Sequence, residues 1–123
     1  MILLDTNAIL WLETGDSRAR PLLKRTSVFC ISPASLLEIQ FLLELGRIRL
    51  KNADCVSELA EDDRWKLDEP PTRSWFEESL SLSWTRDPFD RLIVAHALVK
   101  GFKLATGDAH IIKHLDKRRV FEL

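Results

Sequence analysis

Four carboxylates fall where chemistry can be built. Asp5 follows the apolar run Ile2-Leu3-Leu4, and Asp108 follows the run that starts Phe102-Lys103-Leu104-Ala105. Both lie just past the carboxyl end of an expected buried strand, the edge where open α/β sheets form their ligand crevice. Asp90 lies in the first turn of a helix that opens at Pro88. Glu38 sits in Leu36-Leu37-Glu38-Ile39, on the same helix face as Phe41, Leu42 and Leu45 by the i+3, i+4, i+7 rule. Two carboxylates ~4 Å apart repel by roughly 4 kcal/mol at an effective dielectric near 20. Several in one crevice therefore raise each other's pKa values unless a divalent cation neutralises them. An all-oxygen donor set suits Mg²⁺ or Mn²⁺, not zinc. Cations held this way commonly serve phosphodiester hydrolysis.

Each acid also has a structural reading. Asp90 answers Asp87 as a capping-box acid would, and Asp5 or Asp108 taken singly is a turn residue or a helix N-cap. Glu38 resists this treatment, because a carboxylate on an apolar helix face is costly unless paired or bound to metal. His110 and His114 have the i, i+4 spacing of a zinc pair. They lack a Glu after the first His and a suitably spaced third ligand, so they read as a surface helix turn. Trp65, Trp75 and Trp84 read as core, and Trp11 as core or as part of a partner groove.

The elements that must position these residues alternate between short apolar strands and helices. Strands are expected at 2–4, 28–31, 65–67, 102–105 and 119–121. Helices are expected at 7–13 ending at Gly15, at 16–25 with a bend at Pro21, at 33–45 ending at Gly46, and at 53–64. Further ones are expected at 72–82, at 88–100 ending at Gly101, and as a turn at 109–114. Ser32-Pro33 and Asp87-Pro88 are N-cap and first-turn proline pairs. This alternation predicts an α/β sandwich around a mainly parallel sheet. The strand order is not readable.

At 123 residues the chain fits one domain, and 46% apolar residues argue against intrinsic disorder. Two cysteines make no disulfide framework, and Cys30 reads as a buried reduced thiol. No apolar run approaches the roughly 18 residues of a membrane span, and Met1-Ile2-Leu3-Leu4-Asp5 does not read as a signal peptide. A cytoplasmic location is therefore expected. With 18 basic and 19 acidic side chains the net charge is −1, which counts mildly against a generic basic nucleic-acid module. Setting the four acids aside leaves 18 basic against 15 acidic groups, a mildly basic remainder.

The motifs together resemble a known family. Leu3-Leu4-Asp5-Thr6-Asn7 with Leu10-Trp11, and Ile31-Ser32-Pro33-Ala34-Ser35-Leu36-Leu37-Glu38-Ile39, are similar to the opening and the Ser-x-x-Glu helix of PIN-domain ribonucleases of the VapC toxin type. Leu45-Gly46-Arg47-Ile48-Arg49-Leu50 resembles the segment that ends that helix. Arg86-Asp87-Pro88-Phe89-Asp90-Arg91-Leu92-Ile93-Val94-Ala95-His96-Ala97 is the most specific stretch, and Leu104-Ala105-Thr106-Gly107-Asp108 resembles the final acidic motif. The resemblance runs through the whole chain in order.

It implies one PIN-like domain over 1–123, with a three-layer α/β/α sandwich. It also implies that Asp5, Glu38, Asp90 and Asp108 form a catalytic, metal-binding quartet for one or two Mg²⁺ or Mn²⁺ ions. Asp87 is then the N-cap, Thr6 and Thr106 support the carboxylates, and Arg86 and Arg91 contact phosphate or pair with the acids. A solvated surface role is the competing reading for both arginines. The implied activity is endonucleolytic hydrolysis of RNA by metal-activated water, leaving a 5′-phosphate, on tRNA or ribosomal RNA. The implied partners are an antitoxin protein and a second copy of the chain. Three positions depart from the family: Leu42 where a Lys is frequent, Thr85 and Asn7 where His is frequent. The rival classes are a receiver-type signalling domain and a non-catalytic binding module whose acids hold a divalent cation.

Overall fold

The computed structural model describes residues 1–123. Five strands form one sheet: β1 (Ile2–Leu4), β2 (Phe29–Ile31), β3 (Lys66–Leu67), β4 (Lys103–Thr106) and β5 (Val120–Glu122). Their order is β3-β2-β1-β4-β5, and every pairing is parallel. The chain builds outward from β1 through β2 to β3, then crosses back and builds from β4 to β5. The direction of winding thus reverses between β1 and β4. In such sheets a crevice opens at this switch point, beyond the carboxyl ends of the two strands.

Side-chain alternation along these strands separates two cores. Ile2, Leu4, Ile31 and Ala105 face α1 (Thr6–Thr14), α2 (Arg20–Leu23) and α4 (Val56–Ala60), together with Ile39 of α3 (Pro33–Glu44). Leu3, Cys30 and Leu104 face the opposite side. There they pack with α5 (Thr72–Leu80), α6 (Pro88–Lys100) and α7 (Ala109–His114) through Trp75, Ile93, Val94 and Ile111. The three-layer α/β/α sandwich is the expected one. Beyond β3, Asp68 meets the buried His96 of α6 at 2.7 Å and Lys100 at 3.5 Å, which ties the outermost strand to the second layer.

Four expectations need correction. The helix expected over 16–25 is a 3₁₀ turn, Ser17–Ala19, followed by the four-residue α2. Asp16 folds onto Arg18 N and its guanidinium, and Pro21 stands in the first turn of α2 rather than at a bend. The helix expected over 53–64 shrinks to the five residues of α4, because Arg64 reaches back to Leu12 O and the Glu13 carboxylate on α1. Trp65 is not a strand residue; it is buried and donates from Nε1 to Leu59 O at 2.9 Å. Finally, Phe41 and Leu45 do not make an apolar core face with Glu38. They are 47% and 49% exposed, whereas Ile39 is the fully buried residue of that turn.

Candidate metal and catalytic site

Asp5, Glu38, Asp87, Asp90 and Asp108 line one cavity of about 160 Å³, with Thr6, Asn7 and Leu42 completing it. No lysine or arginine lines it. A larger concavity of about 470 Å³ lies elsewhere, beside Pro70 and Trp75, but collects a single acid, Glu69. The sheet order accounts for their sharing one cavity. Asp5 leaves β1, Asp108 leaves the neighbouring β4, and α3 brings Glu38 from the carboxyl end of β2 on the other side of β1.

Three of the acids are also N-caps, so the structural and chemical readings hold together. Asp5 Oδ1 accepts from Ala8 N at 2.8 Å, Asp87 Oδ1 from Phe89 N at 2.9 Å, and Asp108 Oδ1 from His110 N at 2.8 Å. In each case Oδ1 makes the cap. Three helices, α1, α6 and α7, therefore begin at the cavity, and their N-terminal dipoles favour negative charge there. Thr6 of α1 donates its hydroxyl to Glu38 Oε1. The Thr106 hydroxyl accepts from Asp108 N at 3.0 Å and favours the ionised form of Asp5 beside it.

The electrostatics are those of acids crowded without countercharge. Burial pushes Asp5 up to about 6, against the Thr106 and Ala8 contacts that pull it down, and Asp108 and Glu38 add repulsion. Asp90 is pushed up to about 7, first by burial and then by Asp87, Glu38, Asp108 and Asp5. Glu38 is raised by burial and by Asp87, less the opposing effect of Thr6. The cost of Glu38 thus comes from this cavity and not from an apolar helix face.

The donor set fits a hard divalent cation: carboxylate oxygens only, of net negative charge, in a small cavity. The acids ring the space without converging, and no three His, Cys, Asp or Glu side chains are drawn close enough to grip an ion as they stand. His110 and His114 do not form a zinc pair. Each donates a ring N–H to a backbone carbonyl, of Trp84 at 2.7 Å and of His110 at 2.8 Å.

The arginines form no ion pair with the acids. Arg86 donates to Ser83 O and Arg91 to Thr85 O, both at 2.9 Å, and both bonds brace the turn that carries Asp87. Thr85 joins this bracing, accepting from Asp87 N at 3.2 Å. Leu42 places a methyl-rich side chain at the cavity wall, so nothing there offsets the acids. Gly107 lies in the turn between β4 and α7, next to Asp108. A Cβ there would lie 2.8 Å from the Trp11 ring, so only glycine lets the β4–α7 turn pass beneath Trp11. Trp11 itself is half-buried, with the Arg18 guanidinium 4.4 Å from its ring centroid.

The fold is similar to those of several solved proteins. A chain of a toxin–antitoxin complex from Klebsiella pneumoniae superposes with a TM-score of 0.71 at 17% identity, over all of both chains. VapBC2 from Rickettsia felis, solved on a fragment of its promoter DNA, gives 0.69 at 20% identity, over 100% of this chain and 99% of that one. Mycobacterium tuberculosis VapC20, a toxin that cleaves the sarcin–ricin loop, gives 0.64 at 16% identity, over 97% of this chain and 99% of that one. At such identities the likeness speaks to the fold. No curated protein matches the chain in sequence. The profile of the PIN domain does match, over residues 2–118, a stretch that takes in all five acids of the cavity; the chain belongs to the PIN domain family.

Proposed function

We propose that the chain is a Mg²⁺- or Mn²⁺-dependent endoribonuclease, the toxin of a toxin–antitoxin pair. One observation carries the reading: five carboxylates and no cationic side chain line a single cavity at the N-termini of three helices. Asp5, Glu38, Asp90 and Asp108 would hold one or two ions, with Asp87 at the rim. A bound divalent cation supplies countercharge and Lewis-acid activation of water and phosphate. The chain's own contribution is position and charge. Thr6 fixes Glu38, Thr106 stands between Asp5 and Asp108, and the N-termini of α1, α6 and α7 favour an anionic phosphate. In the hydrolysis, a water oxygen would form the new bond to phosphorus as the 3′ oxygen leaves and takes up a proton, giving a 5′-phosphate and a 3′-hydroxyl end. Arg86 and Arg91 retain N–H groups to meet the phosphates.

The similar structures named above include toxins solved with antitoxins and one that cuts ribosomal RNA, which supports an antitoxin partner and a structured RNA substrate. Exposed Leu37 and Phe41 on α3, with Leu45 just past its end, supply an apolar stripe suited to a second copy of the chain or the antitoxin. No helix is long and apolar enough to cross a membrane. The test is cleavage of RNA by the purified chain with and without Mn²⁺ or Mg²⁺. Asp5→Asn is expected to abolish metal-dependent cleavage, and Thr6→Val to weaken it about 10- to 100-fold. The reading fails if neither ion shifts the melting temperature or supports cleavage that Asp5→Asn removes.

A further inference from the structure

Beside the acidic cavity lies a cluster of rings that hydrolysis does not need. Trp84 and His114 are stacked, with centroids 4.7 Å apart and planes 4° from parallel. His110 leans against both, 4.6 Å from His114 and 5.4 Å from Trp84. Both imidazoles are exposed, and Trp84 is half-buried. A carbonyl only accepts, so the bonds to Trp84 O and His110 O fix the proton on His110 Nε2 and on His114 Nδ1. The rings are thereby held in place, while both side chains stay exposed.

The cluster is joined to the cavity by the chain itself. Asp108 caps α7 by accepting from His110 N, and Trp84 stands three residues before Asp87. The His110–Trp84 bond therefore ties together the two segments that deliver Asp108 and Asp87. Exposed Lys113, the chain neighbour of His114 on α7, and exposed Lys117, in the 3₁₀ turn after it, add positive charge to this segment. A pre-stacked aromatic surface beside basic side chains and a phosphodiester-cleaving cavity is the combination that holds unpaired nucleobases. A duplex, with its bases already stacked on one another, offers no such face.

We propose that the exposed imidazole of His114, backed by Trp84 and flanked by His110, is a stacking platform for an unpaired base of single-stranded RNA at the rim of the acidic cavity. Its location relies on the ribonuclease reading, but its test does not. Binding of a short fluorescein-labelled single-stranded RNA to the full-length Asp5→Asn protein in Mg²⁺ is read by anisotropy. It is compared with a strand of the same length and charge whose central residues are abasic. His114→Ala is expected to weaken binding of the RNA about ten-fold, as loss of one base–aromatic stack does, and to leave the abasic strand unaffected. Trp84→Leu should act in the same sense, and His114→Phe should restore binding.

Equal weakening of both strands would show that the rings only brace Asp87 and Asp108. Together with no effect of His114→Ala, no binding of either strand, or duplex RNA bound as tightly as single strands, that result overturns the proposal. Absence of metal-dependent cleavage by the unmutated chain, measured separately, would overturn the ribonuclease reading while leaving a base-dependent His114 effect standing.

Discussion

In Asp5, Asp87 and Asp108 one carboxylate oxygen caps a helix, and the same side chain lines the cavity. From the sequence, cap and ligand were competing readings of each residue. They compete only if the whole group is used, and the geometry uses Oδ1 for the cap. The crowding has a consequence for stability in metal-free protein. Unfolded carboxyls ionise near pH 4, whereas Asp5 and Asp90 hold their protons up to about 6 and about 7. Between those values the native state binds more protons than the unfolded state, so stability falls as pH rises from about 4 to 7. Asp5→Asn removes part of that cost. In EDTA it should raise unfolding free energy by about 1–2 kcal/mol at pH 7.5 and change it little at pH 4. Urea denaturation at the two pH values checks this; an equal effect at both would contradict it. Saturating Mn²⁺ should reverse the order, because binding to the native state alone stabilises the unmutated chain.

Elements were legible where their ends are chemically local. Helix α6 runs from Pro88 to Lys100 as expected, since Asp87 caps one end and Gly101, at φ 68°, closes the other. Helix α4 was not, because what shortens it lies far away in the chain. Arg64 donates to Leu12 O and Glu13 Oε2 at 2.8 and 2.9 Å, and Trp65 turns inward, so the helix stops at Ala60. Glu13 carries no mark in the sequence that sets it apart from a surface acid. Yet its side chain is fully buried, accepting from Lys51 N at 2.9 Å, from Asn52 N and from Arg64. It holds the segment after α3 against α1 and leaves no donor there unpaired. Glu13→Ala strands two backbone N–H groups and a partly buried guanidinium, and is expected to cost about 2–4 kcal/mol. Glu13→Gln keeps an acceptor but loses the charge, and should cost less. Amide exchange at Lys51 and Asn52 should quicken in both variants; unchanged protection there would contradict the assignment.

At the scale of the whole molecule, the strand order could not be read because it depends on which distant strands pair. Nothing local in Ile2-Leu3-Leu4 states that β4 lies on one side of it and β2 on the other. That order puts the acids in one place and sets the meaning of the net charge. The −1 total averages an acidic cavity with a mildly basic exterior. Two basic clusters of the sequence, Arg18-Arg20-Lys24-Arg25 and Lys113-Lys117-Arg118-Arg119, are weaker than their composition suggests. Arg18 is paired with Asp16 at 2.8 Å and Arg118 with Asp116 at 3.0 Å, both within their own turns. Ion pairs hold Arg18, Arg64, Arg73, Lys100 and Arg118, which lowers the number of cations free to displace counterions from a nucleic acid. At fixed free Mg²⁺, single-stranded RNA binding should fall with monovalent salt at a log–log slope of about −2 to −3, equivalent to three or four phosphate contacts at roughly 0.7 each. Asp116→Asn frees Arg118 and should steepen the slope by less than about 1. A slope beyond about −5 for the isolated chain would contradict this and mean that an extended basic track carries the RNA.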